Sequence, residues 1–100
     1  MEQQQFDIVR KKRPSVSEPP LYEVIIFDDD QTTIDFVFMI LSVVFGKSEV
    51  ESDTIIAEAQ KQGKAVVGVY SYDIAQTKVN KALDMAQNAG FPLQLVAEKK

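Results

Sequence analysis

The chain has no cysteine, no histidine and no tryptophan among its 100 residues. Without cysteine there are no disulfides, no thiolate metal sites and no thiol nucleophile. Without histidine the usual general base and the usual zinc ligand are missing too. A binding role is therefore expected rather than an enzymatic one, with no resident metal and no cofactor. No apolar run is long enough to span a bilayer. The first twenty residues are polar and charged, without the apolar centre of a signal peptide. These absences lead to the expectation of a cytoplasmic protein with no membrane partner.

A chain of this length makes one domain, and its charge is unevenly spread. Residues 1–20 hold Arg10, Lys11, Lys12 and Arg13 against Glu2, Asp7 and Glu18, a net of +1. Residues 21–100 hold 7 basic and 12 acidic side chains, a net of −5. The acidic part should repel nucleic acid, so no nucleic-acid partner is expected. Residues 1–20 have neither a helical nor a strand period. Gln3-Gln4-Gln5, the basic run, then Pro14, Ser15, Ser17, Pro19 and Pro20 read as an N-terminal arm ahead of a domain at 21–100.

What is concentrated is negative charge at one point. Asp28-Asp29-Asp30 directly follow Leu21-Tyr22-Glu23-Val24-Ile25-Ile26-Phe27, a run with the β-branched and aromatic bias of a strand. Thr32 comes next, with Asp35 three residues on, a spacing that resembles a capping box. Three adjacent carboxylates repel one another, so a turn that gathers them makes a site for a cation: a metal, a lysine or the charged amino end of a peptide. Thr33 to Phe45 reads as a helix ending at Gly46. It is almost wholly apolar, and such a helix cannot be buried all round in so small a domain. Some of that surface is expected to line a pocket or meet a partner. Ser48-x-x-Glu51 is a better capping box for a second helix, which Gly63 ends. Lys64 to Tyr70 reads as the second strand. Ser71 is expected to cap a third helix, whose inner stripe is Ala75, Val79, Ala82, Ala86 and Ala89, widened by Ile74 and Leu83. Gly90 closes it, Pro92 to Val96 is the third strand, and Glu98-Lys99-Lys100 a solvated end. The order is β-α-α-β-α-β, an α/β (α+β) sandwich with one small sheet and three helices on one face.

That order, with the Pro-Leu-Tyr-Glu-Val opening, the Asp-Asp-x-x-Thr turn, Gln62-Gly63-Lys64-Ala65, Ala75-Gln76-Thr77-Lys78-Val79 and the Pro-Leu of the last strand, resembles the ClpS family over residues 19–100. Members are adaptors of the bacterial Clp protease. The resemblance implies a three-stranded antiparallel sheet like that of the ribosomal stalk protein's C-terminal domain. It implies an adaptor that binds proteins beginning with Leu, Phe, Tyr or Trp and hands them to the AAA+ unfoldase of the protease. By position, Asp28 and Asp29 would grip the substrate's α-amino group, with Asp30, Thr32 and Gln60 beside them. Ile34, Val37, Ile56 and Leu93 would line the slot for the first side chain. Asp73 and Lys78, at the start of the third helix, would contact the unfoldase N-terminal domain, and the arm would take part in delivery.

Two positions depart from the family pattern. Asp28 stands where the family usually has Asn, which adds charge but removes a donor. Gln60 stands where it usually has His; it is longer, and ordering it costs entropy. A third departure is on the first helix. Met39 and Val43, four apart and so on one face, occupy positions usually polar in related adaptors, which suggests a second, outward contact surface. Two rival readings are a divergent ClpS-like protein with another peptide ligand and a metal-binding receiver-like domain. The latter needs repeated βα units and an isolated Asp ending a second strand.

Overall fold

A computed structural model describes residues 19–100; expectations for the arm before Pro19 lie outside the described residues. Three strands, β1 (Leu21–Phe27), β2 (Lys64–Ser71) and β3 (Leu95–Lys99), and three helices, α1 (Ile34–Val43), α2 (Glu49–Gln62) and α3 (Tyr72–Ala89), follow one another as β1-α1-α2-β2-α3-β3. β1 is central and antiparallel to both neighbours, giving the order β2-β1-β3. β1 pairs Leu21 with Ser71 at one end and Phe27 with Lys64 at the other. Those two ends organise the molecule.

The helices cover one face of the sheet. Val24 and Ile26 of β1, Ala65 and Val67 of β2 and Leu95 of β3 meet Ile40, Leu41, Val44 and Phe45 of the α1 segment and Ile55 and Ala59 of α2. Burying each large side chain contributes about 1.5–3 kcal/mol. Ala75, Val79, Ala82 and Ala86 are the buried stripe of α3, and their small size lets that helix lie close to the sheet. Ala89 and Ile74, expected in or beside the stripe, are exposed. Ala89 is in the last turn, and Ile74 is rotated about 100° from Ala75. Between Val24 and Ile25 the β1–β2 register slips by one residue, so that Val24 faces Gly68 and Ile25 faces Val66. The extra residue, Val67, is buried. A Cβ at Gly68 would come within 2.6 Å of the Tyr70 hydroxyl oxygen and 2.9 Å of its Cζ, so the Tyr70 ring lies over the glycine and would have to shift to admit a side chain.

The local signals were of unequal strength. The second capping box is present in full, with the Ser48 N–H donating to Glu51 Oε1 at 2.9 Å and the Glu51 N–H donating to Ser48 Oγ at 3.1 Å. The Ser48 backbone N–H, helped by the Ser48 hydroxyl, holds the Glu51 carboxyl below its ordinary range. The first helix is capped one residue later than the Thr32-x-x-Asp35 spacing suggests: Thr33 Oγ1 accepts the Phe36 N–H at 3.1 Å. Ser71 occupies the N-cap of α3 without a side-chain hydrogen bond. α1 stops at Val43 rather than Phe45, as the Gly46 and Lys47 amides turn back to the Ser42 and Leu41 carbonyls. β3 begins at Leu95, not Pro92. Proline has no N–H for the ladder, and residues 92–94 form the bend before the strand. Glu98 and Lys99 are not a loose end but pair with Glu23 and Tyr22.

Candidate functional site

The site lies at the Phe27–Lys64 end. Two backbone bonds fix where β1 stops: the Phe27 N–H donates to the Gln94 carbonyl at 3.1 Å, and the Asp28 N–H to the Gly63 carbonyl at 3.0 Å. Gly63 can present that carbonyl because it takes φ +88° just past α2, a left-handed conformation that glycine adopts without penalty.

Asp29 then folds the turn around itself. Its Oδ1 accepts the Gln31 and Thr32 amides at 2.9 and 2.7 Å, and its Oδ2 accepts the Thr32 hydroxyl at 2.8 Å. Partial burial pushes the Asp29 carboxyl up, but the Thr32 hydroxyl and the two amides together outweigh it and hold the carboxyl below its ordinary range. Thr32 is consequently a buried polar residue with its donors satisfied. Asp28 and Asp30 remain exposed. Thus one of the three carboxylates is spent on shaping the turn, and its neighbours face solvent.

Beside the turn is a cavity of about 60 Å³. Asp28, Asp29, Thr32 and Gln60 supply its polar side; Ile34, Val37, Ile56 and Leu93 line it with apolar atoms. The excess apolar surface of α1 is therefore partly accounted for: Ile34 is 50% exposed at the mouth, and Val37 is half-buried. Ile26, Phe27, Ile55 and Ala59 also line the cavity but were not assigned to it from the sequence. For Ile55 and Ala59 the signal was available, since they sit next to Ile56 and Gln60 at i, i+4 spacing. Asp30 does not line the cavity. Leu93 does so from the bend before β3, where it is 3% exposed, and not from within the strand. Among the described residues no group of three or more acidic side chains is arranged to hold a metal ion.

The residues assigned to the unfoldase contact stand apart from this cavity. Asp73 is exposed in the first turn of α3. Lys78 is half-buried, and its ammonium donates to the Val44 carbonyl at 3.0 Å. It also lies 6.0 Å from the Phe45 ring centroid and 5.5 Å from that of Tyr70, within cation–π range. Burial holds the Tyr70 phenol above its ordinary range. Met39 is not outward-facing: it is partly buried and packed on the core, whereas Val43 is 59% exposed. The expected outward pair is therefore a single exposed valine.

Residues 17–96 match the family described as "ATP-dependent Clp protease adaptor protein ClpS". The chain belongs to the ClpS family. It is 47% identical to the ATP-dependent Clp protease adapter protein ClpS of Nautilia profundicola, over 81% of this chain and 84% of that one. With the protein of the same name from Treponema denticola it shares 46% identity, over 82% of this chain and 81% of that one. Among solved structures, that of Agrobacterium tumefaciens ClpS2 bound to L-phenylalaninamide superposes with a TM-score of 0.80 at 40% identity. The match covers 83% of this chain and all of that one. The ligand there is a free-amino, bulky apolar residue without a side-chain charge.

Proposed function

We propose that this ClpS protein captures proteins by a bulky apolar first residue, Leu, Phe, Tyr or Trp, and carries them to the AAA+ unfoldase of the Clp protease. The observation that carries this reading is the meeting, in one cavity, of the Asp28 and Asp29 carboxylates with the apolar walls of Ile34, Val37, Ile56 and Leu93. An α-ammonium next to an apolar side chain has that same split. Asp28, exposed at the mouth, is the direct counter-charge. Asp29 holds the turn in shape and Gln60 contributes an amide that can donate and accept. Asp30 adds field from outside the cavity. Burying a Leu or Phe side chain contributes ~1.5–3 kcal/mol and each charge-assisted bond roughly as much. A few such terms reach the about −8 kcal/mol of micromolar binding.

The protein works by binding and delivery, without a reaction of its own. Residues 21–100 are the adaptor domain, and the arm at 1–20 takes part in delivery. Asp73 is available to the unfoldase. Lys78 supports the same surface from within, since its ammonium is occupied. The proposed place of action is the cytoplasm; no helix among the described residues is long and apolar enough to cross a membrane. Calorimetric titration with two peptides, identical except that one has an acetylated amino end, tests the reading. The free peptide should bind at least about tenfold more tightly, ~1.4 kcal/mol. Equal affinities would overturn it. A companion series with Leu, Phe, Tyr and Trp first residues reads the filter set by Ile34 and Ile56, β-branched and stiff at χ1. Ile56→Ala should widen the accepted set and weaken the best ligand.

A further inference from the structure

The cavity beside the Asp28–Asp29 turn is small for an aromatic first residue. It measures about 60 Å³, whereas an apolar cavity that takes benzene measures about 150 Å³. For a ring to enter, one wall has to give way, and most walls are fixed. Ile26, Ile55 and Ala59 belong to the buried core. Val37 and Ile56 are packed against it, and each is β-branched, with one preferred χ1 on a helix. Ile34 stands at the mouth, 50% exposed, so displacing it widens the entrance and adds no depth. Leu93 is different. It has no branch at Cβ, so more than one rotamer is open to it. Beside it is a second cavity, of about 260 Å³, which Leu93 lines together with Leu83, Gln87, Phe91, Pro92 and Gln94. Among the described residues Leu93 is the one that lines both cavities.

We propose that Leu93 is a movable partition between the two cavities. With Leu as the first residue of the substrate, it stays in place. With Phe, Tyr or Trp, its side chain turns into the second cavity and leaves its own volume to the ring. The backbone on either side is tied down. The Phe91 N–H donates to the Ala86 carbonyl at 2.9 Å, and the Gln94 carbonyl accepts the Phe27 N–H at 3.1 Å. The movement is therefore a change of rotamer and not a shift of the chain. The far side of the second cavity is also held, because the Phe91 ring rests on Phe36 of α1 with centroids 4.8 Å apart. Leu93 thus sets the depth of the site, while the stiff Ile34 and Ile56 set its width. This inference deepens the degron reading and rests on it.

Gln87→Trp tests the partition from the far side. Gln87 is exposed on α3 and does not line the first cavity, so an indole there fills the second cavity without touching the ligand. In calorimetric titrations of full-length protein, peptides beginning with Phe or Trp should bind the variant about tenfold more weakly than wild type, and a Leu peptide within about twofold. The Leu peptide also reports that the variant is folded. In wild type, the Leu93 methyl carbon shifts, which follow its χ2 rotamer, should change on adding the Phe peptide and not on adding the Leu peptide. No selective loss of aromatic affinity in Gln87→Trp, or one Leu93 rotamer with both peptides, would overturn the partition and leave the degron reading intact. Failure of wild type to bind either peptide would instead remove the degron reading, and the partition with it.

Discussion

The two ends of the sheet use their polar groups in opposite ways. At the Leu21–Ser71 end, Lys78 turns its ammonium inward to the Val44 carbonyl and the Phe45 and Tyr70 rings. The charge there closes the end of α1, a helix with no basic residue in its last turn. At the Phe27–Lys64 end, Asp29 is consumed by its own turn, while Asp28 and Gln60 stay exposed at an apolar cavity and Asp30 stays exposed outside it. A polar group satisfied within the fold contributes to stability; one held in place but unsatisfied is available to a ligand. Polar groups thus make a structural joint at one end and stay open to a ligand at the other, where recognition is proposed.

The strongest way to break this comparison is Asp29→Ala. It releases two amides and the Thr32 hydroxyl, so the turn should lose its shape even with Asp28 intact. Affinity for a peptide beginning with Phe should fall by about a hundredfold, ~2.8 kcal/mol. Calorimetry reads this, and a loss no larger than that of Asp30→Ala would mean the turn does not depend on Asp29. Next is Lys78→Met, which keeps the stem but orphans the Val44 carbonyl. Denaturant unfolding should show a loss of about 1–3 kcal/mol, with peptide affinity nearly unchanged. A large loss of affinity would show the ends to be coupled.

Acid should separate the ends more gently. The folded-state pKa of Asp29 is lowered, so the stability it contributes is present above its unfolded value of about 3.9. That contribution is lost as pH falls through the lower folded value. In an acid titration followed by NMR, the Gln31 and Thr32 amides should therefore shift together below about pH 4, ahead of the amides flanking Lys78. The smallest effect is expected from Ser52→Ala on α2. The Ser52 hydroxyl is buried without a hydrogen-bond partner among the described residues. Removing it should leave the protein as stable or more stable by about 0.5–1 kcal/mol; a clear loss of stability would mean that the hydroxyl has a partner in solution.

The sequence made most of this legible where one signal sufficed. Helix boundaries at Ser48 and Gly63 followed from residue chemistry, and β1 from its composition. The pocket walls Ile34, Val37, Ile56 and Leu93 came from the family resemblance, and a surplus of apolar residues on α1 pointed the same way. What could not be read were choices between adjacent candidates. Thr32 and Thr33 are equally good caps, and Asp29 decided between them by taking the Thr32 hydroxyl. Pro92-Leu93-Gln94 resembles a strand start, but the ladder with β1 engages only from Leu95. The inward turn of Lys78 could not be read because its partners, Val44 and Tyr70, lie on other elements. Met39 and Val43 share a helical face by spacing, yet packing on the core takes one and leaves the other.

The central claim, that ligand recognition belongs to one end alone, is tested most directly by titrating isotope-labelled protein with L-phenylalaninamide and mapping the amide shifts. The largest shifts should fall on residues 28–34, Ile56, Gln60 and Leu93, with Phe45, Tyr70 and Lys78 silent. Shifts centred on Phe45, Tyr70 and Lys78, or none at saturating ligand, would contradict it.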